Sequence, residues 1–274
     1  STNITLEEGK LAWSDLYAQG FDGNIRSRGS IDFNKDKPEY QVTSSLSQLK
    51  LIPLLAKFTS LNNNLSGTLS ADFNLSGKGF TKEAIHQDLI GTGNFYIAHG
   101  RISNLNILGN LIKKGVIAAL LRHKKDLAKE TITSFPQHTD FDQLSGKWIL
   151  AQAKISFENL LLENPDISLP TRGILGLDQS LNLKGTGRLS PEKTNQLIGE
   201  KYRSYLTDQQ GRLEIPFTVL GTIKEPLITP DLLSLSRRGL QVYKEFFKGN
   251  KGEQLKKNFG KNVEKIIEDI LKAH

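Results

Sequence analysis

The segment from Arg212 to Asp231 reads RLEIPFTVLGTIKEPLITPD, and its first half alternates without a break. Leu213, Ile215, Phe217 and Val219 point one way and Arg212, Glu214, Pro216 and Thr218 the other, which is the period of a β-strand with one apolar face. The same period fills Leu65 to Gly77, where Leu65, Leu69, Ala71, Phe73 and Leu75 oppose Ser66, Thr68, Ser70, Asp72, Asn74 and Ser76. It returns in GNIRSRGSIDF, where Ile25, Ile31 and Phe33 share a face with Ser27 and Gly29 while Arg26, Arg28 and Asp32 take the other. A chain that repeats this pattern folds as a sheet and must cover the apolar face of that sheet. Pro216 cannot donate to a ladder, so its strand is expected at an edge or beside a bulge. Gly221 then turns the chain, and Pro226 and Pro230 keep it extended and out of any helix. The whole stretch is expected to be the last strand of a long sheet.

Taken in order, Ile4 to Phe33 predicts a meander of three strands, ITLEEGKLAW, DLYAQGF and GNIRSRGSIDF, split at Gly or Asp. Asn34 to Pro38 is a charged turn and Glu39 to Leu49 a returning strand. Leu51 to Leu61 has helical spacing with Pro53 in its first turn, and Asn62 to Asn64 turns the chain into the Leu65 strand. Thr81 to His86 is a short polar segment. Leu89 to Ile102, which holds Phe95 and Ile97, is expected as a pair of strands with a turn near Gly100. Ile107 to His123 is a helix and Thr131 to Thr139 a loop around Pro136. FDQLSGKWIL, AKISFENLLLE and Thr171 to Leu189, with Leu181 and Leu183, resume the strands. Ser190 and Pro191 open a further helix. The tail from Leu232 predicts two helical pieces, the second striped by Leu255, Phe259, Val263, Ile266, Ile267, Ile270 and Leu271.

One motif repeats: Phe73 to Gly77, Leu181 to Gly185 and Phe217 to Gly221 each read apolar, polar, apolar, any residue, glycine. It suggests sheet units of similar build, with the glycine letting each strand bend or end. The paired glycines Gly77-x-Gly79, Gly91-x-Gly93 and Gly185-x-Gly187 lack the third glycine and the helix of a phosphate loop, so they are strand or turn glycines. A catalytic constellation is missing. The five histidines are dispersed, with His99 beside a turn glycine and without metal-ligand spacing. Asp140 and Asp142 flank Phe141 in what the pattern makes a solvated loop. There is no cysteine, which removes thiol chemistry and disulfides. There is no methionine either, so a processed or excised product is expected.

The formal charge is +7, which permits attraction to anionic lipid headgroups or nucleic acid. Single-strand binders interleave basic residues with exposed aromatics on one sheet face. Here Phe33, Phe73, Phe95 and Phe217 lie among aliphatics, Gly and Ser, and Arg26 and Arg28 fall on the opposite face, so no nucleic-acid partner is expected. The apolar face can be covered by a second sheet, the chain's own helices, a partner or a lipid.

Five segments carry a family resemblance: LYAQGFDGNIRSRGSIDF, LSGTLSADFNLSGKG, DLIGTGNFYIAHGRI, GILGLDQSLNLKGTGRLS and IPFTVLGTIKEPLITPD. In this order and spacing the chain resembles the C-terminal region of the AsmA-like family of Gram-negative envelopes, relatives of TamB among bridge-like lipid transporters. The resemblance implies a periplasmic body held by an upstream inner-membrane anchor, built as a long curved β-groove that shelters phospholipid between membranes or supports outer-membrane assembly. It implies no catalytic residues, cofactor or metal.

The expected fold is thus mainly β with helices (α+β), a long curved antiparallel sheet forming an open apolar groove with short helices and a C-terminal amphipathic helical tail. Its expected units are a first lobe over 1–130, a second over 131–231 and the tail over 232–274. Strand alternation supplies the expected groove lining: Ile25, Ile31, Phe33, Leu69, Phe73, Leu75, Phe95, Ile97, Leu181, Leu183, Leu213, Ile215, Phe217 and Val219. The tail helix, through Leu255, Phe259, Val263, Ile266, Ile267 and Ile270, would cap the groove or dock on a membrane surface. The expected partners are phospholipid or another acyl lipid, a membrane surface and envelope proteins.

Overall fold

A computed structural model describes residues 3–59, 64–113, 136–198, 203 and 207–231. The described strands are β1 (Ile4–Glu7), β2 (Lys10–Gly20), β3 (Gly23–Asp32), β4 (Glu39–Lys50), β5 (Leu65–Lys78), β6 (Ile90–Ile102), β7 (Thr139–Ala151), β8 (Lys154–Glu163), β9 (Ile167–Gly176), β10 (Ser180–Leu189), β11 (Glu214–Thr222) and β12 (Pro226–Pro230). The helices are α1 (Leu51–Phe58), α2 (Lys82–Asp88), α3 (Ile107–Lys113) and α4 (Pro191–Leu197). The strands form one antiparallel sheet in chain order, each paired to the next. β1 and β12 do not meet, so the sheet is open. β6 pairs with β7 from Gly91↔Leu150 to Ile102↔Thr139, so the sheet runs without interruption from residues before 130 to residues after it.

Residues opposed across an antiparallel pair share a face. One lateral row therefore runs Leu16, Ser27, Ser44, Phe73, Gly93, Trp148, Phe157, Gly173, Leu183, Val219 and Ile228, from β2 to β12. Four two-against-one bulges keep the apolar residues on that face where their spacing turns odd. Ser14 and Asp15 oppose Arg28, Ser47 and Gln48 oppose Ser70, His99 and Gly100 oppose Gly67, and Glu158 and Asn159 oppose Arg172. Trp13 and Leu16, Leu46 and Leu49, and Phe157 and Leu160 are each three apart yet point the same way.

Several sequence expectations change here. The split expected between KLAW and DLYAQG is the first of those bulges inside β2, and the turn falls earlier, at Glu8 and Gly9. The expected pair of strands over Leu89 to Ile102 is one long strand, β6, not a hairpin: Gly100 pairs with Phe141, and His99, at φ 47°, is an exposed strand residue. Asp140, Phe141 and Asp142 belong to β7 rather than to a loop, with Phe141 buried. Thr81 to His86, expected as a short polar segment, forms the cap and most of α2: the Thr81 hydroxyl accepts from the Ala84 amide and caps the helix. β11 is neither the last strand nor an edge, because β12 pairs outside it. Pro216 is tolerated there because its carbonyl faces the β12 side and accepts from Asp231, just past the end of β12. A missing donor on that side takes nothing from the ladder.

The core lies where β8 to β12 meet α3 and α4. Leu111, Ile112, Leu189, Leu213 and Ile215 are fully buried there, in one cluster with Phe217, Val219, Leu197 and Ile228. Ser190 accepts from the Lys193 amide at the start of α4 and Pro191 fills its first position, as the sequence predicts. One turn in, Thr194 is fully buried and its Oγ1 accepts from the Leu213 amide at 2.9 Å, tying α4 to the entry of β11. Thr194→Val keeps the shape but orphans a buried N–H, so it should cost about 1–3 kcal/mol. A lower urea midpoint at an unchanged m-value would report it. The second half of the expected 107–123 helix and the whole 232–274 tail, with Leu255, Phe259, Val263, Ile266, Ile267 and Ile270, lie outside the described residues.

Candidate lipid-binding face

The register collects the alternating positions onto one side of the sheet. Ile25 pairs with Leu46, which pairs with Ala71, which pairs with Phe95. Leu69 faces Ile97, Val42 faces Leu75, Ile31 faces Tyr40, Leu183 faces Val219, and Leu181 faces Leu175. Ile215 and Phe217 lie opposite Gly187 and Gly185. Leu213 precedes β11 and is bridged to Thr207. Phe33 stands apart, because β3 has ended at Asp32 and its ring is 48% exposed.

The face is built from aromatics laid over glycines. Trp13 opposes Gly29, Tyr40 opposes Gly77, Trp148 opposes Gly93, Phe141 opposes Gly100, and Phe217 opposes Gly185. At each glycine an added Cβ would run into that ring. The repeated apolar-x-apolar-x-Gly motif thus has a steric reason at Gly77 and Gly185, where the glycine seats a cross-strand ring within a continuing strand. Gly221, expected to turn the chain, sits at φ +87° inside β11 and is paired on both sides, and the turn follows it over residues 223–225.

The two ends of this face differ in cover. Over β3 to β6, Ile25, Ile31, Leu69, Phe73, Leu75 and Phe95 are half-buried, and only Ile97 among the expected lining residues there is buried. Over β10 and β11, Leu183, Leu213, Ile215, Phe217 and Val219 are all buried in the core cluster with Leu111, Ile112, Leu197 and Ile198. A hydroxyl stripe crosses the first region. Ser44 donates to Ser27 at 3.0 Å, and Trp13 Nε1 donates to the same Ser27 oxygen at 3.1 Å, so these polar atoms are satisfied within the face. Simple alternation overlooks Trp13, Val42, Leu46, Leu49, Trp148, Phe157 and Leu160, several of which the bulges put out of step.

The opposite face is polar, as the sequence predicts for Arg26 and Arg28. A depression of about 610 Å³ opens on it, floored by the backbone of the row from Ser27 to Trp148. Charges toward the strand ends pair across the ladder: Lys78 with Glu39 at 2.8 Å, Lys10 with Asp32 at 3.6 Å, and Arg188 with Glu214 at 3.1 Å. Arg101 grips both carboxylate oxygens of Asp140 at 2.6 and 3.1 Å, and this bond holds the Asp140 carboxyl below the usual carboxylate range. The described residues contain no His, Cys, Asp and Glu grouping able to hold a metal ion. None of the described helices is long and apolar enough to cross a membrane.

No curated protein and no solved structure matches the chain. The AsmA family model matches residues 1–145, just over half of the 274 residues, covering β1 to β6 and the first part of β7. The matched part contains the half-exposed stretch of the apolar face, and the chain belongs to the AsmA family.

Proposed function

We propose that this chain is a non-enzymatic lipid-binding and phospholipid-transfer module of the Gram-negative envelope, working in the periplasm. In this reading acyl chains lie against the apolar face of β2 to β6. The observation that carries it is a face continuous in register across the sheet, which its own helices bury over β10 and β11 and which stays half-exposed over β3 to β6. Taking an acyl chain of about 16 carbons into water costs roughly 12 kcal/mol at about 0.8 kcal/mol per CH₂. A trough of rings and aliphatics offsets most of that and keeps transfer from bilayer to protein near thermoneutral. The excess of Lys and Arg would favour anionic headgroups at its rim.

A second reading, an assembly factor for the outer membrane whose apolar face is filled by its own helices or by a protein partner, is favoured by β10 and β11. There Leu213, Ile215, Phe217 and Val219 are packed in a closed core. The two readings divide the sheet between them: lipid belongs to the first strands and structural packing to the last. The test is to purify the chain without detergent, extract it with organic solvent and identify lipid by mass spectrometry, with uptake from labelled vesicles alongside. Co-purifying phospholipid that exchanges with vesicles is expected. No lipid and no uptake would leave the assembly reading standing.

A further inference from the structure

The depression on the polar face has a chemistry of its own. Its side-chain wall holds three cations, Arg26, Arg28 and Lys147, and three carboxylates, Asp15, Asp72 and Glu158. Charges toward the ends of the strands are tied up in cross-strand pairs, but among the described residues none of these six forms an ion pair. Between them lies a floor of hydroxyls and amides, partly pre-set by bonds from Ser45 to Asp72 and from Thr43 to Asn74, both 2.7 Å. Arg26 on β3 and Lys147 on β7 are four strands apart, which at about 4.8 Å per strand gives a trough about 19 Å across.

That lining selects a ligand by exclusion. An anion meets three carboxylates and a polycation meets three basic groups, so the lining favours neither over a ligand of no net charge. The backbone donors and acceptors of these strands are spent in the ladder, so an added β-strand is not accommodated. Ile149 is the one apolar side chain directed into the trough, which leaves a protein partner without the buried anchors that hot spots need. What remains is a molecule rich in neutral donors and acceptors, with hydroxyl pairs that carboxylates, amides and guanidinium forks hold two at a time. Tyr96, 45% exposed, stands on the same face two residues on from Asn94, and its flat ring suits the C–H face of a sugar, whereas the Tyr17 ring is already covered by the Arg26 guanidinium 5.9 Å from its centroid. We propose that this trough binds a neutral oligosaccharide lying across strands β2 to β8, on the side of the sheet away from the lipid face.

The experiment titrates the chain with maltotetraose and tetra-N-acetylchitotetraose, by calorimetry and by amide chemical shifts, with inorganic phosphate and spermidine as charged probes. Saturable binding of at least one tetrasaccharide is expected below about 10 mM, with shifts gathered around Asn74 and Asn94. Asp72→Ala and Asn94→Ala should each weaken it at least tenfold. Both side chains are exposed, and Lys147→Ala gives a third variant should either fail to fold. No saturable binding of either sugar, binding by phosphate or spermidine in their place, or parental affinity in all three variants would overturn the assignment. Lipid loading is read on the same samples. Sugar binding without lipid refutes the transfer reading alone, and lipid without sugar refutes the oligosaccharide site alone.

Discussion

Phe217→Asp is expected to unfold the chain, whereas Phe73→Asp should leave it folded and strip it of lipid. Alternation alone treats these two positions as equals, since both are central aromatics of clean strands. The difference is in their cover. Phe217 is 4% exposed, packed in the core cluster and seated over Gly185. An uncompensated carboxylate there loses the ring's packing, about 3–5 kcal/mol, and adds the cost of an unpaired buried charge. Together these approach the whole stability of an ordinary domain, about 5–15 kcal/mol. Phe73 is half-buried, with Trp148 at 6.5 Å between ring centroids and Ser44 beside it on the neighbouring strand. A carboxylate can reach water there and finds a hydroxyl next to it, so the loss of stability should stay near 1–2 kcal/mol. Its charge then sits in the middle of the surface on which an acyl chain would lie. Circular dichroism through a urea titration, with lipid extraction of the same preparations, separates the two outcomes. If Phe73→Asp unfolds as readily as Phe217→Asp, the face over β3 to β6 is a closed core and carries no lipid. If it stays folded and keeps its full lipid load, the lipid lies elsewhere.

The sheet was legible because its apolar face is apolar on nearly every strand. Leu65 to Gly77, Gly23 to Phe33 and Leu213 to Val219 announce themselves by period two, and the register then has little freedom, since a slip of one residue would turn each strand's apolar set to water. The bulges are what the pattern hides. An odd step such as Trp13 to Leu16 reads as a broken strand, yet an extra residue on one side restores the face at the cost of a local kink. Gly100 misled for a related reason. A glycine after an alternating run looks like a turn, and only the ring of Phe141, some forty residues on, shows that it is a seat. Pro216 points to an edge or a bulge, yet it stands in a strand paired on both sides, and the strand that stops short beside it, β12, is a fact of tertiary pairing. Cover is the least legible property. The same φ-x-φ pattern stands at Phe73 and Phe217, and nothing local tells which of them α3 and α4 will bury.

The ring-on-glycine pairs lead to the second large effect: Gly185→Val should destabilise the chain by about 3 kcal/mol or more, far beyond its loss of backbone freedom. A Cβ at Gly185 would stand 2.9 Å from Cζ of Phe217 and 2.6 Å from the Pro170 carbonyl oxygen, both too close for carbon. Phe217 cannot swing away, because its far side is packed in the core cluster, and overpacking a well-filled core costs about 1–3 kcal/mol per event before any backbone shift. Valine favours strands, so propensity alone predicts a gain at this position. The expected loss is therefore a direct reading of the seat. Gly20, the last residue of β2, provides the control, since it is also a strand glycine but has nothing within 4 Å of an added Cβ. Gly20→Val should stay within about 0.5 kcal/mol of the parent. Shrinking the ring relieves the clash, so Phe217→Leu should cost less in the Gly185→Ala background than alone, giving a favourable coupling of about 1 kcal/mol in a double-mutant cycle. Equal urea midpoints for Gly185→Val and Gly20→Val would mean that these glycines merely bend strands. A large gap between them would mean that the glycines hold the rings flat, so that a face carrying this many aromatics stays thin enough to be covered by two short helices at one end and left half-exposed at the other.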